Sequence, residues 1–132
     1  MSRLVNLRED FGVLGGFVDF LGPSLLLNSS GGITGTANFA PKSCLRLYDL
    51  TVSGLAGSPK DLAEATKLQS IVSAGDWALQ KTGIAGTKWA IQKTMGYGGV
   101  PRRPLLPFDE SGGKGESLMK ELESLWACEQ GL

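Results

Sequence analysis

The sequence has no histidine. Within these 132 residues, a Ser-His-Asp triad, a Cys-His dyad and histidine-based zinc sites are therefore excluded. Catalysis inside the chain would have to rest on lysine, carboxylate or tyrosine, or on groups from elsewhere. Cysteine is scarce too. Cys44 and Cys128 are the two present, far apart and each within an apolar helical pattern. A thiol in such a place behaves as a small hydrophobe, so neither a disulfide nor a reactive cysteine is expected. No apolar run approaches the roughly 18 residues of a membrane span. The start, Met1-Ser2-Arg3-Leu4, lacks the apolar stretch of a secretory signal. Excess charge of either sign is also missing. Thirteen basic residues balance thirteen acidic ones, with four of each over residues 1–57 and nine of each over 58–132. Nothing forces a basic face, so neither nucleic acid nor membrane is expected as a partner. The expected compartment is the cytoplasm.

What the sequence has in quantity is glycine, with 19 residues. Glycine serves where backbone turns tightly or approaches something closely. That favours strand-to-helix connections over a plain bundle. Residues 3–9 read as the tail of a helix, with Leu4 and Leu7 on one side. Phe11-Gly12-Val13-Leu14, bounded by Asp10 and Gly15-Gly16, fits a short buried strand. A helix is predicted from Phe17 to Leu27, with Val18, Leu21 and Leu25 as its apolar stripe and Pro23 restricting its first turns. Residues 28–32 form a turn cluster. Ile33-Thr34 reads as a second strand, ended by Gly35. A further helix runs from about 38–41 to Val52, with Pro41 in its first turn and Gly54 at its C-terminal cap. Strand, helix, strand and helix in this order imply parallel strands.

Beyond residue 57 the pattern becomes helical. Ser58-Pro59-Lys60-Asp61 is a helix start with Ser58 as cap. Leu62, Ala65, Leu68, Ile71, Val72, Gly75 and Leu79 follow at helical spacing to about Lys81. Ile84, Ile91 and Met95 mark another helix, ended by Gly96. Residues 97–108 hold three prolines and read as extended loop. Residues 109–115 form a polar turn, and 116–130 a final helix with Leu118, Leu122, Leu125 and Trp126 inward. Two regions follow from this reading, residues 1–57 and residues 58–132, within a length that allows one domain and not two full ones. Two short parallel strands do not make an independent sheet. The strand at Phe11–Leu14 thus calls for a neighbour that this chain does not supply.

The run Phe11-Gly12-Val13-Leu14-Gly15-Gly16-Phe17-Val18-Asp19-Phe20-Leu21-Gly22-Pro23-Ser24-Leu25 is followed by Gly31-Gly32-Ile33-Thr34-Gly35-Thr36-Ala37-Asn38-Phe39-Ala40-Pro41. Further on come Gly83-Ile84-Ala85-Gly86-Thr87-Lys88-Trp89 and Gly98-Gly99-Val100-Pro101-Arg102-Arg103-Pro104-Leu105. In this order, the segments resemble the C-terminal part of the dihydrodipicolinate synthase / N-acetylneuraminate lyase family, in its 4-hydroxy-2-oxoglutarate aldolase-like branch. The resemblance implies an α/β fold: the C-terminal fragment of a (β/α)8 TIM barrel. Two short parallel strands, matching strands seven and eight, would carry a mostly helical C-terminal appendage. A whole barrel has eight strands and about 250 residues. The family implies a class I aldolase or hydro-lyase. Its lysine forms a Schiff base with pyruvate or a related 2-oxo acid, without metal or organic cofactor. That lysine matches strand six, upstream of this chain, so no catalytic residue is expected here. For a full-length relative, the mitochondrion is the alternative compartment.

Three positions carry over as substrate-binding. Gly16 follows strand seven and matches a pocket-lining position. Ile33, at the end of strand eight, matches one whose main chain contacts the oxo acid, and Gly35 follows in the same loop. Sialic acid lyases have acidic residues just after the glycine matching Gly16. Phe17, Val18 and Asp19 stand there instead, which argues for a smaller oxo acid.

Other readings compete with these. The Gly31–Gly35 loop entering a helix could cradle a phosphate, but no Gly-Lys-Ser/Thr follows, and a structural turn or an inherited pocket wall explains it as well. Lys88 is the most tempting Schiff-base candidate, against the plainer reading of a helical surface lysine. Arg102 and Arg103 suit an anion or a surface salt bridge. Trp77, Trp89 and Trp126 read as core. Two functional hypotheses stand: a fragment of a Schiff-base aldolase (a gene fragment, splice product or partial sequence), inactive alone, and a non-catalytic helical interaction module. Under either, an exposed strand edge invites self-association.

Overall fold

A computed structural model describes residues 3–5, 8 and 10–132. Of the expected helix over residues 3–9, residues 3–5 form a turn, and 6, 7 and 9 lie outside the described residues. The first strand, β1, is Leu14–Gly15, and β2 is Gly31–Gly32. They pair in parallel, Leu14 with Gly31 and Gly15 with Gly32, in a two-stranded sheet. Flanking bonds extend the ladder: the Ser30 amide donates to the Val13 carbonyl at 2.8 Å and the Ile33 amide to the Gly15 carbonyl at 2.8 Å.

Both strands are displaced from the positions expected. Phe11, placed in the first strand, lies outside the pairing and is exposed. The second strand falls on the two glycines assigned to a turn, and Ile33 lies just after it. Glycine is depleted in strands because it adds no side chain to the pleated surface. Here the main chain alone makes the pairing, and a Cβ on Gly32 would sit 3.4 Å from the Gly15 carbonyl oxygen.

The connection between the strands is a 3-10 turn at Val18–Phe20 and a short helix α1, Leu21–Leu26. Val18, Leu21 and Leu25 are buried as the stripe requires, while Phe17 and Phe20 are exposed. Pro23 falls in the first turn of α1, where a missing amide hydrogen costs no intrahelical bond. After β2, a second 3-10 turn at Gly35–Asn38 leads to α2, Pro41–Leu55, with Pro41 in its first turn. Gly54 is not the cap. A Cβ there would lie 2.8 Å from the Leu62 Cβ, so Gly54 permits close approach of the next helix. The left-handed turn is made by Gly57, at φ 112°, a conformation that costs glycine nothing.

Helix α3, Pro59–Met95, contains both helices expected between Ser58 and Gly96, joined across a kink at Gly83 (φ 62°, ψ −159°). Ser58 caps it, accepting from the Asp61 amide at 3.4 Å, and Gly96 follows its last turn. Helix α4, Lys114–Gly131, starts slightly earlier than the periodicity implied.

One apolar cluster joins these elements. It includes Leu21 and Leu25 of α1, Leu47 and Leu50 of α2, Leu68 and Val72 of α3, and Leu122 and Leu125 of α4. At Gly75 the helices α3 and α4 nearly touch, since a Cβ there would lie 2.9 Å from the Leu125 Cβ. Trp126 packs on Phe39 with ring centroids 5.4 Å apart, and Trp89 on Phe108 at 5.1 Å. Trp77 departs from the expected core position and is 59% exposed.

Polar clasps fix the layers. Glu129, buried near the end of α4, accepts from the Lys42 and Ser43 amides at 3.0 and 2.7 Å and from Ser43 Oγ at 2.8 Å. These are first-turn donors of α2, which have no carbonyl partner inside their own helix. Gln69 of α3 accepts from the Gly22 amide at 2.8 Å and donates to the Val18 carbonyl at 3.0 Å. It thereby ties the turn after β1 to the appended helices.

Candidate functional site

Strand pairing brings the three substrate-binding candidates to one end of the sheet. Gly16 directly follows β1 and Ile33 directly follows β2, so the parallel register sets them side by side. Gly35 opens the 3-10 turn two residues later. Gly16 and Gly35 have open space where a Cβ would stand, and the Ile33 side chain is 73% exposed. In a parallel βα array, the C-terminal ends of the strands are where loops gather into a site.

Gly35 also borders a cleft of about 610 Å³ between the second 3-10 turn and α3. Gly16 and Ile33 lie outside its lining. Facing Gly35 across it are Asp76, Gln80 and Lys88 of α3, with Tyr97 beyond the helix end. Lys88 is half-buried on this wall rather than fully solvated.

Asp76 is the polar centre of the cleft and is 2% exposed. Its Oδ1 accepts from the Thr36 hydroxyl and from Thr34 Oγ1, the latter at 3.5 Å. Its Oδ2 accepts from Gln80 Nε2 at 2.6 Å. A buried carboxylate persists where hydrogen bonds replace its lost hydration, and here they come from both walls of the cleft. The reading of the sequence passed over Asp76. A signal existed: it sits four residues after buried Val72, where the helical stripe calls for an apolar side chain.

Other candidates lose their chemistry on placement. Cys44 is buried, and burial pushes its thiol up to about 12, with the Glu129 and Asp76 carboxylates adding to the effect. It stays a neutral packing group. Arg102 and Arg103 are exposed and enter no ion pair among the described residues, so the expected salt bridge is not formed. No group of three or more metal-ligating side chains occurs among the described residues, and no helix among them is long and apolar enough to cross a membrane.

The outer edges of β1 and β2 carry no partner strand among the described residues. Beside them Phe11, Leu14, Phe17, Ile33 and Leu45 are exposed. A shallow apolar hollow of about 330 Å³ opens next to the pair, with Leu14, Gly31 and Tyr48 in its wall. A sheet of two strands with bare edges and an apolar flank is part of a larger layer.

No family model matches the chain. Individual proteins do. The L-threo-3-deoxy-hexylosonate aldolase of Hypocrea jecorina is 45% identical over 97 residues, which is 74% of this chain and 29% of that protein. Its Aspergillus niger namesake is 36% identical over 131 residues, 99% of this chain and 37% of that protein. A solved structure from Coccidioides immitis, described as of the dihydrodipicolinate synthase family, superposes with a TM-score of 0.78 at 29% identity, over 99% of this chain and 43% of its own. The chain matches part of the dihydrodipicolinate synthase family barrel. It spans about a third of the length of these curated relatives.

Proposed function

We propose that this chain forms the closing end of a Schiff-base-forming lyase or aldolase acting on pyruvate or a related 2-oxo acid, and that it holds no reactive lysine of its own. In this reading residues 1–57 supply the last two barrel strands with their helices, and 58–132 the appended helices. Gly16, Ile33 and Gly35 wall the oxo-acid site, where a missing or outward side chain leaves backbone accessible to a small planar acid. The imine-forming amine belongs to a strand outside this chain. The observation that carries the reading is the placement of Gly16 and Ile33 side by side, with Gly35 two residues on, at the C-terminal end of a parallel pair that has no further partner strand among the described residues.

The aldolase names of the relatives support a carbon–carbon lyase. They also widen the substrate class. A hexylosonate is a sugar acid, so Phe17-Val18-Asp19 do not by themselves restrict the site to short oxo acids. The chemistry requires neither metal nor organic cofactor, since a protonated imine is itself the electron sink. A cytoplasmic location remains our assignment, and a curated relative from Emericella nidulans, 37% identical over 105 residues, carries the name of a mitochondrial 4-hydroxy-2-oxoglutarate aldolase.

The test is reductive trapping. Incubated with pyruvate and borohydride, this chain keeps its mass, whereas a barrel-length protein containing it gains one reduced pyruvate on a lysine N-terminal to this segment. A stable adduct on Lys88, or on any lysine of this chain, would overturn the assignment.

A further inference from the structure

We propose that Asp76 is a positioning residue, by which the appended helix α3 holds the loop after β2 in the shape that an oxo acid requires. This inference rests on the oxo-acid reading for its consequence, but its structural half stands on the observed contacts. Asp76 belongs to the helical appendage, outside the strand pair. Yet its carboxylate receives the hydroxyls of Thr36 and Thr34, the residues that flank Gly35. Thr34 Oγ1 in turn accepts from the Thr36 amide at 3.3 Å, closing the 3-10 turn. On the other side Gln80 Nε2 holds Oδ2 at 2.6 Å and fixes the carboxylate plane.

The loop from Ile33 to Thr36 is therefore fastened at both ends. The Ile33 amide is bound to the Gly15 carbonyl of β1 at 2.8 Å, and Thr36 is bound to α3 through Asp76. Between them Gly35 has no side chain and, at its Cβ position, no neighbour within 4 Å. Within the turn the Asn38 side-chain amide donates to the Gly35 carbonyl at 3.0 Å; the carboxylate adds the tie from this loop to α3, and glycine has little backbone preference of its own. A polar clasp holding a glycine-containing loop is a means of preorganising a site whose contacts are main-chain atoms. The cost of burying Asp76 is explained by this role better than by packing, because Val72 and Leu79 on the same face are apolar.

The test compares Thr36→Val, Thr36→Ser and Asp76→Ala. Valine keeps the shape of threonine and removes the hydroxyl, so it stays informative even if Asp76→Ala fails to fold. In this chain, amide hydrogen exchange at residues 33–38 should quicken about tenfold in Thr36→Val, the size expected from one lost buried hydrogen bond. Thr36→Ser should match the parent, and α4 should be unaffected in both. In a barrel-length protein containing the chain, the pyruvate concentration giving half-maximal borohydride trapping should rise about tenfold in Thr36→Val and not in Thr36→Ser. Trapping at saturating pyruvate should stay near the parent level, a split that general destabilisation does not produce. Unchanged loop exchange in Thr36→Val would overturn the clasp. Faster exchange with unmoved half-saturation would overturn its role in the site. Absence of trapping in the barrel-length parent would overturn the oxo-acid reading instead, and the exchange comparison alone would then decide the clasp.

Discussion

Replacing Glu129 by alanine removes the clasp between the last turns of α4 and the first turn of α2. Three donors lose their acceptor: the Lys42 amide, the Ser43 amide and the Ser43 hydroxyl, at 3.0, 2.7 and 2.8 Å. Hydrogen bonds to a charged group each contribute about 1.5–3 kcal/mol. A carboxylate at a partly buried helix N-terminus gains up to about 2 kcal/mol from the helix dipole. Against this stands the desolvation of the carboxylate, several kcal/mol in a buried site, which the alanine variant no longer bears. The donors left behind are neutral, and the small cavity admits water to one of them. The balance is a loss of about 3 kcal/mol, toward the upper end of single substitutions. Glu129→Gln keeps the shape but turns an amide hydrogen toward an amide hydrogen, so it should lose roughly half as much. Glu123→Ala, on the exposed face of α4, should stay within about 0.5 kcal/mol of the parent. Urea titrations followed by far-ultraviolet circular dichroism, at micromolar dilution, measure all three. Equal midpoints for Glu129→Ala and Glu123→Ala would refute the reasoning.

Two further outcomes follow from the packing. Gly75→Ala should cost about 1–3 kcal/mol, because its new methyl would lie 2.9 Å from the Cβ of buried Leu125, so that the helix contact must shift; thermal melts of the variant and of Gly131→Ala, where the space is open, give the comparison. Cys44 should make the fold alkali-sensitive. Its thiol sits near 9 unfolded and is raised to about 12 folded, so its contribution is full below pH 9 and is lost as pH rises toward 12. Stability measured at pH 7 and pH 10.5 should therefore fall more in the parent than in Cys44→Ala, and equal slopes would contradict the burial.

Helix positions were legible in the sequence because their signals are local. Pro41, Ser58-Pro59 and Gly96 mark ends by their own backbone chemistry, and the α3 stripe from Ala65 to Leu79 follows from spacing alone. The strands were less legible. Phe11–Leu14 and Ile33–Thr34 have the side chains of strands, but pairing depends on which main-chain groups meet, and Gly31–Gly32 meets β1 without any side-chain signature. The cap was expected at Gly54 and lies at Gly57 for the same reason: both are glycines near a helix end, and only the position of α3 distinguishes them. Gly16, Ile33 and Gly35 were found through family likeness rather than periodicity. Asp76 and Glu129 were missed although each breaks an apolar stripe, four residues after Val72 and Leu125 respectively. An acid in that register signals a buried polar partner on another element, and its identity appears only once the chain is folded.

The proposal of an incomplete barrel layer rests on β1 and β2, which have no further partner strand among the described residues, and on Phe11, Leu14, Phe17, Ile33 and Leu45, which stand exposed beside them. Sedimentation velocity of the isolated chain over a hundredfold range of dilution tests this directly. The account predicts a weight-average mass that climbs above 13.9 kDa as concentration rises, as uncovered apolar surface and strand edges associate. A single sharp monomer boundary at every concentration would mean that these surfaces need no covering, and would contradict it.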